Sequence, residues 1–244
     1  MNLKDPRTQL SWLLILIFLS ASFFYKDISL LKNLVIATFS AVIFDFLFLK
    51  LRKIELFPPA AAITTGVIIS LLVSPKLPVY EIVIASFLAI LSKNFIKGGN
   101  RHIFNPAGFG ALTSSFIFNH SLSWWSVSFQ PLNSIFFLIL LFPLLVSMIR
   151  LKRFMITIPF ILIYSLLISA LNKTQILNAI TDPTVLFFSL VMLPEPQTTP
   201  NKKHVQILFG IFVVVMAFFS SKISSLDPLI FALLAGNLIF YRLK

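Results

Sequence analysis

Two carboxylic acids in apolar surroundings are the residues whose chemistry is most informative in this chain. Asp45 lies inside an apolar run, and Glu195 lies in the motif LPEPQTTP. Carboxylates within a membrane are costly to bury and commonly serve as ligands for ions or protons. We therefore regard both as candidates for an ion pathway. The structural alternative is pairing with nearby cations, which are Lys50 and Arg52 for Asp45 and Lys202 and Lys203 for Glu195.

A second group of residues could hold a cofactor or substrate. These candidates are Gly98, Gly99, Asn105, Pro106, Thr198 and Thr199. Asn105 precedes a proline, which is typical of a helix start, and the N–H groups and partial positive charge of a helix start suit an anion. The glycines would let a ligand approach the backbone, and the threonines offer hydroxyl groups. The alternatives are local: capping for Asn105, a re-entrant turn for the glycines and loop capping for the threonines.

The elements that must position these residues are membrane helices. The chain has 244 residues, of which 58% are hydrophobic and only 11% charged, too few charges for a soluble surface. A helix needs about 20 apolar residues to cross a hydrocarbon core of roughly 30 Å. We predict an all-α polytopic membrane protein with ten segments near residues 10–25, 30–50, 58–74, 79–96, 104–118, 132–149, 154–171, 183–193, 204–221 and 228–242.

The basic residues predict the orientation of these segments. With the N-terminus inside, 15 of the 20 Lys and Arg residues fall on the cytoplasmic side, and the alternation holds through all ten segments. We therefore predict a multi-pass protein of the inner (plasma) membrane with both termini cytoplasmic. The net charge of +12 reflects this topology, so we expect contact with the lipid bilayer and no nucleic-acid partner. Trp124 and Trp125 fit an aromatic belt at the outer interface.

Short, proline-flanked segments occur in both halves of the chain and predict an internal repeat. The motifs FNPAGFGAL (residues 104–112) and LDPLIFALLAG (residues 226–236) look like one element used twice. Five segments in each half would make the halves opposite in orientation, and such folds place their binding site near the short segments. We predict one integral-membrane domain of two inverted repeats, residues 1–125 and 126–244. Chance similarity between apolar segments is the alternative.

Three motifs carry a resemblance to a known family. KNFIKGGNRHIFNPAGFG (residues 93–110) is similar to the stretch that ends in Phe-Asn-Pro-Ala in the RnfD/NqrB family. ITTGVIISLLVSPKLP (residues 63–78) resembles the family's preceding Thr-Gly segment. LPEPQTTP (residues 193–200) resembles the family's Thr-Asp-Pro-Val-Thr-Ser-Pro, with Glu195 in place of the aspartate. Order, spacing and segment count agree over roughly residues 30–243.

The resemblance implies both a fold and a role. Members of the RnfD/NqrB family are membrane subunits of ion-pumping redox complexes, the Rnf ferredoxin:NAD oxidoreductase and the sodium-pumping NADH:quinone oxidoreductase, and their fold resembles urea transporters. Family members typically carry covalent FMN on the threonine of a Ser-Gly-Ala-Thr motif. This chain has WWSVSFQPLNS (residues 124–134) there, with Gln130 at the acceptor position. An amide cannot form the phosphoester, so we expect no covalent flavin; a noncovalent flavin, FMN or riboflavin, stays open.

Three functions are compatible with these observations. The leading hypothesis is a membrane subunit of an Rnf/Nqr-like ion-translocating electron-transport complex, with other subunits of that complex as partners. The second is a stand-alone channel or transporter for a small solute, with a urea-transporter-like fold. The third is a scaffold or assembly subunit. The chain has no cysteine, and we find no Walker loop, dinucleotide fingerprint, metal-ligand cluster or nucleophile–base pair. These features argue against self-contained hydrolysis or phosphoryl transfer.

Overall fold

The computed structural model describes residues 6–27, 30–55, 58–99, 101–127, 134–173, 175–223 and 225–243. The first half contains α1 (Pro6–Tyr25), α2 (Leu30–Leu51), α3 (Ala60–Leu72), α4 (Val79–Phe95), β1 (Lys97–Gly98), β2 (Arg101–His102) and α5 (Pro106–Phe118). The second half contains α6 (Ser134–Leu151), α7 (Phe154–Asn172), α8 (Ile176–Ile180), α9 (Pro183–Phe187) continued by a π-helical turn (Phe188–Met192), α10 (Lys203–Ile223), and α11 (Pro228–Phe240) continued by a 3-10 turn (Tyr241–Leu243). Each of the ten predicted segments coincides with a helix within a few residues, and the short α8 falls where no segment is predicted.

The helices differ in length. Within the described ranges, four are long and apolar enough to cross a membrane, by length and composition: those at Thr8–Tyr25, Leu30–Leu51, Phe154–Asn172 and Lys203–Ile223. Shorter apolar helices lie at Ala60–Leu72, Pro106–Phe118, Pro183–Met192 and Pro228–Leu243. A helix of 13 residues, such as α3 or α5, is about 20 Å long, against roughly 30 Å of hydrocarbon. The chain is therefore a helical multi-pass membrane protein whose short helices depend on neighbouring segments to satisfy their ends.

Two of the short helices are seated by close backbone contacts. A Cβ atom on Gly66 of α3 would lie 2.5 Å from the Cα atom of Thr38 in α2. A Cβ atom on Gly110 of α5 would lie 2.2 Å from the carbonyl oxygen of Ala85 in α4. No side chain fits at these distances, so glycine at both positions lets α3 approach α2 and α5 approach α4.

Three helix pairings of the first half recur in the second. Helix α4 packs on both α2 and α5, and α10 packs on both α7 and α11. Helix α1 packs on α3, and α6 packs on the π-helical turn. The halves meet where α1 contacts α6 and where α5 contacts α11.

Among the described residues, three helices begin at an Asx-Pro pair. The side-chain oxygens of Asn105, Asp182 and Asp227 each accept a hydrogen bond from a backbone N–H of the helix turn that follows, at 2.9 to 3.0 Å. In each case proline occupies the start of the helix. Its missing N–H costs little there because the first N–H groups of a helix have no intrahelical partner.

The two tryptophans are buried in the protein, so the prediction of a lipid-facing aromatic belt is wrong. Only 5% of Trp124 and 7% of Trp125 is exposed. The indole N–H of Trp124 donates to Asp227 Oδ2 at 2.6 Å, and that of Trp125 donates to the Ser70 carbonyl at 2.9 Å. Burial raises the pKa of Asp227, while the hydrogen bonds to its carboxylate oppose the shift. A buried indole N–H needs an acceptor, and packing on α3 and α11 supplies it.

Candidate functional site

A cavity of about 710 Å³ lies where the basic segments between helices converge. We call it the basic cavity. Its charged and polar lining includes Asp45, Arg52, Lys93, Asn94, Lys97, His102, Asn105, Arg150, Glu195 and Gln197. Aliphatic side chains, several of them from α1, α2 and α3, complete the lining. Cavities of roughly 300–1,000 Å³ with a few convergent polar groups are typical of small-molecule sites.

The basic cavity brings together four of the residues predicted from the sequence. Asp45, Asn105, Pro106 and Glu195 all line it, although they come from α2, the start of α5 and the segment after the π-helical turn. The two candidate ion-pathway carboxylates therefore share one cavity with a helix start. The predicted glycines and threonines are not among the lining residues.

The two glycines shape a hairpin at the edge of the cavity. Strands β1 and β2 pair antiparallel, with Lys97 opposite His102 and Gly98 opposite Arg101. Gly99 has a φ of +68°, a conformation that favours glycine, and this accounts for its presence in the turn. The hairpin carries the side chains of Lys97 and His102 to the cavity, so the glycines act on its shape through the turn.

Asn105 caps a helix and faces the site at the same time. Its Oδ1 accepts from the Gly108 N–H at 2.9 Å, while its Nδ2 donates to Glu195 Oε2 at 2.9 Å. Its backbone N–H donates to Oδ1 of Asn237 at 2.9 Å, and Asn237 Nδ2 donates to the Thr198 carbonyl at 3.3 Å. Asn105, Glu195, Thr198 and Asn237 form what we call the Asn105 cluster. The cluster connects the start of α5, the segment after the π-helical turn and α11.

Glu195 is contacted at both its carboxylate and its backbone carbonyl. His102 Nε2 lies 3.4 Å from Glu195 Oε1. The neighbour of the Glu195 carboxylate is therefore this histidine, and not Lys202 or Lys203, which the sequence offered as the structural alternative. The hydroxyl of Thr199 donates to the Glu195 carbonyl at 2.7 Å, and that of Thr198 donates to Oε2 at 3.3 Å. Both threonines are fully buried behind Glu195, where they position the loop that carries it.

Asp45 pairs with a different cation from those expected. Its carboxylate lies 2.9 Å from Nζ of Lys93 and accepts from Nδ2 of Asn94 at 3.0 Å. The prediction that Lys50 or Arg52 pairs with Asp45 is therefore wrong. Lys50 is exposed, five residues along α2 and so on another helix face. Arg52 donates to Asn94 Oδ1 at 3.4 Å.

Sequence reasoning missed two kinds of site residue. Asn237 is the one hydrogen-bonding side chain of α11, PLIFALLAGNLIF, and a lone amide in such a run is a signal for a buried polar contact. Lys97, Arg52 and Arg150 are predicted as topology markers, and nothing in their spacing indicates that they line one cavity. Burial, together with the charges of Arg52 and Lys93, lowers the pKa of Lys97.

Gln130, the predicted position of the missing flavin acceptor, lies outside the described residues. Among the residues that the structure does describe, no three His, Asp or Glu side chains are grouped so that they could hold a metal ion. The lining of the basic cavity offers carboxylate, amide, guanidinium and ammonium groups.

Comparison with known protein families decides the classification. The model of the NQR2, RnfD, RnfE family matches residues 6–135, more than half of the chain. The chain belongs to this family. None of the curated proteins compared with the chain matches it. The family match contains Asp45 and Asn105, while Glu195 and Asn237 lie beyond it. The basic cavity of this NQR2, RnfD, RnfE family member is thus built from the matched part and from the rest of the chain.

Proposed function

We propose that this member of the NQR2, RnfD, RnfE family is a membrane subunit of an Rnf- or Nqr-like complex that couples electron transport to ion translocation. The observation that carries the proposal is the family match together with the cavity on which both halves of the chain converge. A subunit role suits a chain whose described site contains no cysteine and no metal-ligand group of its own. Its redox partners would be other subunits of the complex.

Within this proposal the two carboxylates have different tasks. Asp45 is neutralised by Lys93 at 2.9 Å, so it organises the wall of the cavity. In the described part of the chain, Glu195 has amide, hydroxyl and imidazole neighbours, and its side chain is 26% exposed. A carboxylate with access to solvent can take up a cation or a proton. Glu195 is therefore the proposed entry group of the ion pathway.

We further propose that any flavin on this chain, FMN or riboflavin, is bound noncovalently in the basic cavity. The cavity has the volume of a small-molecule site, and the side-chain amide of Gln197 in its lining has both a donor and an acceptor for a polar ring edge. The aliphatic lining would cover the ring faces. A bound flavin would supply one- and two-electron transfer. The protein groups would orient it and keep water from its apolar faces.

The membrane topology is part of the same proposal. We propose ten transmembrane segments in two inverted repeats, residues 1–125 and 126–244, in the plasma membrane with both termini cytoplasmic. The recurrence of the helix packing in the two halves supports the repeat. The convergence of Arg52, Lys97 and Arg150 on one cavity supports the placement of their segments on one side of the membrane.

Cysteine labelling tests the topology directly, because the native chain has no cysteine and so no background. We expect an exposed cysteine introduced by Lys202→Cys to react with a membrane-impermeant maleimide only after the cells are opened. The matched variant Lys76→Cys, also at an exposed position, should react in intact cells. Labelling of Lys202→Cys from outside, with Lys76→Cys protected, would contradict the proposed orientation. Labelling of both cysteines from one side would contradict the proposed ten segments.

Gentle purification from the native membrane tests the redox role and the flavin together. We expect the tagged chain to co-purify with flavin-bearing and iron–sulfur subunits and with NADH- or ferredoxin-dependent activity. After denaturation its own band should show no flavin fluorescence in a gel, since Gln130 offers no hydroxyl for attachment. Covalent fluorescence in a peptide from residues 119–134 would contradict the flavin prediction. Purification as a lone chain without redox partners would contradict the subunit role and favour a transporter.

A further inference from the structure

Both carboxylates of the basic cavity are already engaged by side chains of this protein. Asp45 lies 2.9 Å from the ammonium group of Lys93. Glu195 accepts a hydrogen bond from Asn105 at 2.9 Å and lies 3.4 Å from His102. Neither carboxylate is therefore available to neutralise the other cations that line the cavity.

Three cations in the lining have no carboxylate partner within the described ranges: Arg52, Lys97 and Arg150. Arg52 makes a long contact of 3.4 Å to the amide oxygen of Asn94. The pKa of Lys97 is lowered by burial and by the charges of Arg52 and Lys93, while the charge of Asp45 opposes the shift, so repulsion outweighs attraction at this lysine. Like charges that share one cavity repel until an anion binds among them.

The lining of the cavity also contains apolar side chains. Leu10 and Leu13 of α1, Leu49 of α2 and Ile68 of α3 contribute aliphatic side chains to its lining. A small inorganic anion would leave this surface uncovered. A ligand that fills a volume of about 710 Å³ must present an apolar body as well as its charge.

We propose that the basic cavity binds a phosphate-bearing amphiphile, with the phosphate at Arg52, Lys97 and Arg150 and the apolar body against α1, α2 and α3. A phosphate monoester has three free oxygens and up to two negative charges, and a phosphodiester has two free oxygens and one charge. Either can accept hydrogen bonds from guanidinium and ammonium groups together, because each oxygen can accept more than one bond.

Two sources offer this chemistry. One is an anionic phospholipid of the bilayer, and the other is a phosphorylated flavin such as FMN, in which case the inference rests on the flavin proposed above. The phosphate site itself does not require electron transfer. Binding to the isolated full-length chain and co-purification with redox partners are separate measurements, so failure of one proposal is distinguishable from failure of the other.

The test measures binding to the purified full-length chain in neutral detergent. The probes are two pairs that differ in a phosphate group: FMN against riboflavin, and phosphatidylglycerol against diacylglycerol. We expect at least one anionic member to bind more tightly than its counterpart, with affinity that falls as salt increases. Lys97→Gln and Arg150→Gln should each weaken that binding about tenfold. Lys152→Gln is the matched control, because Lys152 is exposed beside Arg150 and does not line the cavity.

Each outcome decides the proposal. Charge-dependent binding of FMN but not phosphatidylglycerol supports it with a flavin as the ligand, and the reverse supports it with a lipid. Equal binding of riboflavin and FMN, and of the two lipids, would overturn it. So would anion binding that Lys97→Gln and Arg150→Gln leave unchanged while both proteins elute as folded, monodisperse species. If Lys152→Gln weakens binding equally, the effect of the cavity variants is one of general surface charge, and the proposal is overturned.

Discussion

Replacement of Lys93 by methionine is expected to lower the free energy of unfolding by about 3 kcal/mol, because it leaves a buried carboxylate without its cation. The side chain of Asp45 is only 7% exposed, and that of Lys93 is 19% exposed, so water compensates little for the lost pair. The contact from Asn94 at 3.0 Å would be the remaining donor to the carboxylate. Equilibrium unfolding in mixed micelles measures the effect.

Two further variants identify the cause of the Lys93→Met effect. Lys50→Met changes an exposed lysine of α2 that the sequence suggested as a partner of Asp45, and it should cost less than about 0.5 kcal/mol. The double variant Asp45→Asn with Lys93→Met should recover most of the loss, because the buried charge is gone. A loss in Lys50→Met equal to that in Lys93→Met would contradict the observed pairing.

Substitutions at Asn105 should distinguish its role as the cap of α5 from its role in the site. Asn105→Ser keeps an oxygen that can cap α5 but is too short to reach Glu195. We expect this variant to stay within about 1 kcal/mol of the native stability and to lose most of the activity of the complex. Asn105→Ala removes both the cap and the contact at 2.9 Å, so it should lose roughly 2–3 kcal/mol as well as activity. Full activity in Asn105→Ser would limit Asn105 to a structural role.

Asn105→Asp adds a pH dependence that a purely structural residue would not show. Aspartate can cap the helix, but it places a second carboxylate where the Asn105 amide now lies, 2.9 Å from Glu195 Oε2. Two such carboxylates cannot both ionise easily, so the pKa of one is raised in the folded state above its unfolded value. Stability relative to the native protein should therefore be least affected at low pH, and it should fall as pH rises from the unfolded pKa to the folded one. A pH-independent difference in unfolding free energy would show that the two carboxylates do not meet.

Features that depend on local chemistry could be predicted from the sequence alone. Hydropathy placed all ten helical segments, because a membrane helix must be apolar along its own length. The caps at Asn105, Asp182 and Asp227 were equally predictable, since the cap and the N–H groups it satisfies lie within a few residues. The family could be recognised from contiguous motifs for the same reason.

The contacts between distant side chains follow from the packing of the helices and could not be predicted from the sequence. The partner of Asp45 is Lys93, 48 residues away, because α4 packs on α2 and brings it to the buried face. Asn237 reaches the backbone of Asn105 across 132 residues, a contact that no local pattern encodes. Periodicity shows that a face is buried but not which element covers it, and so the convergence of carboxylates, amides and cations on one cavity follows from helix packing alone.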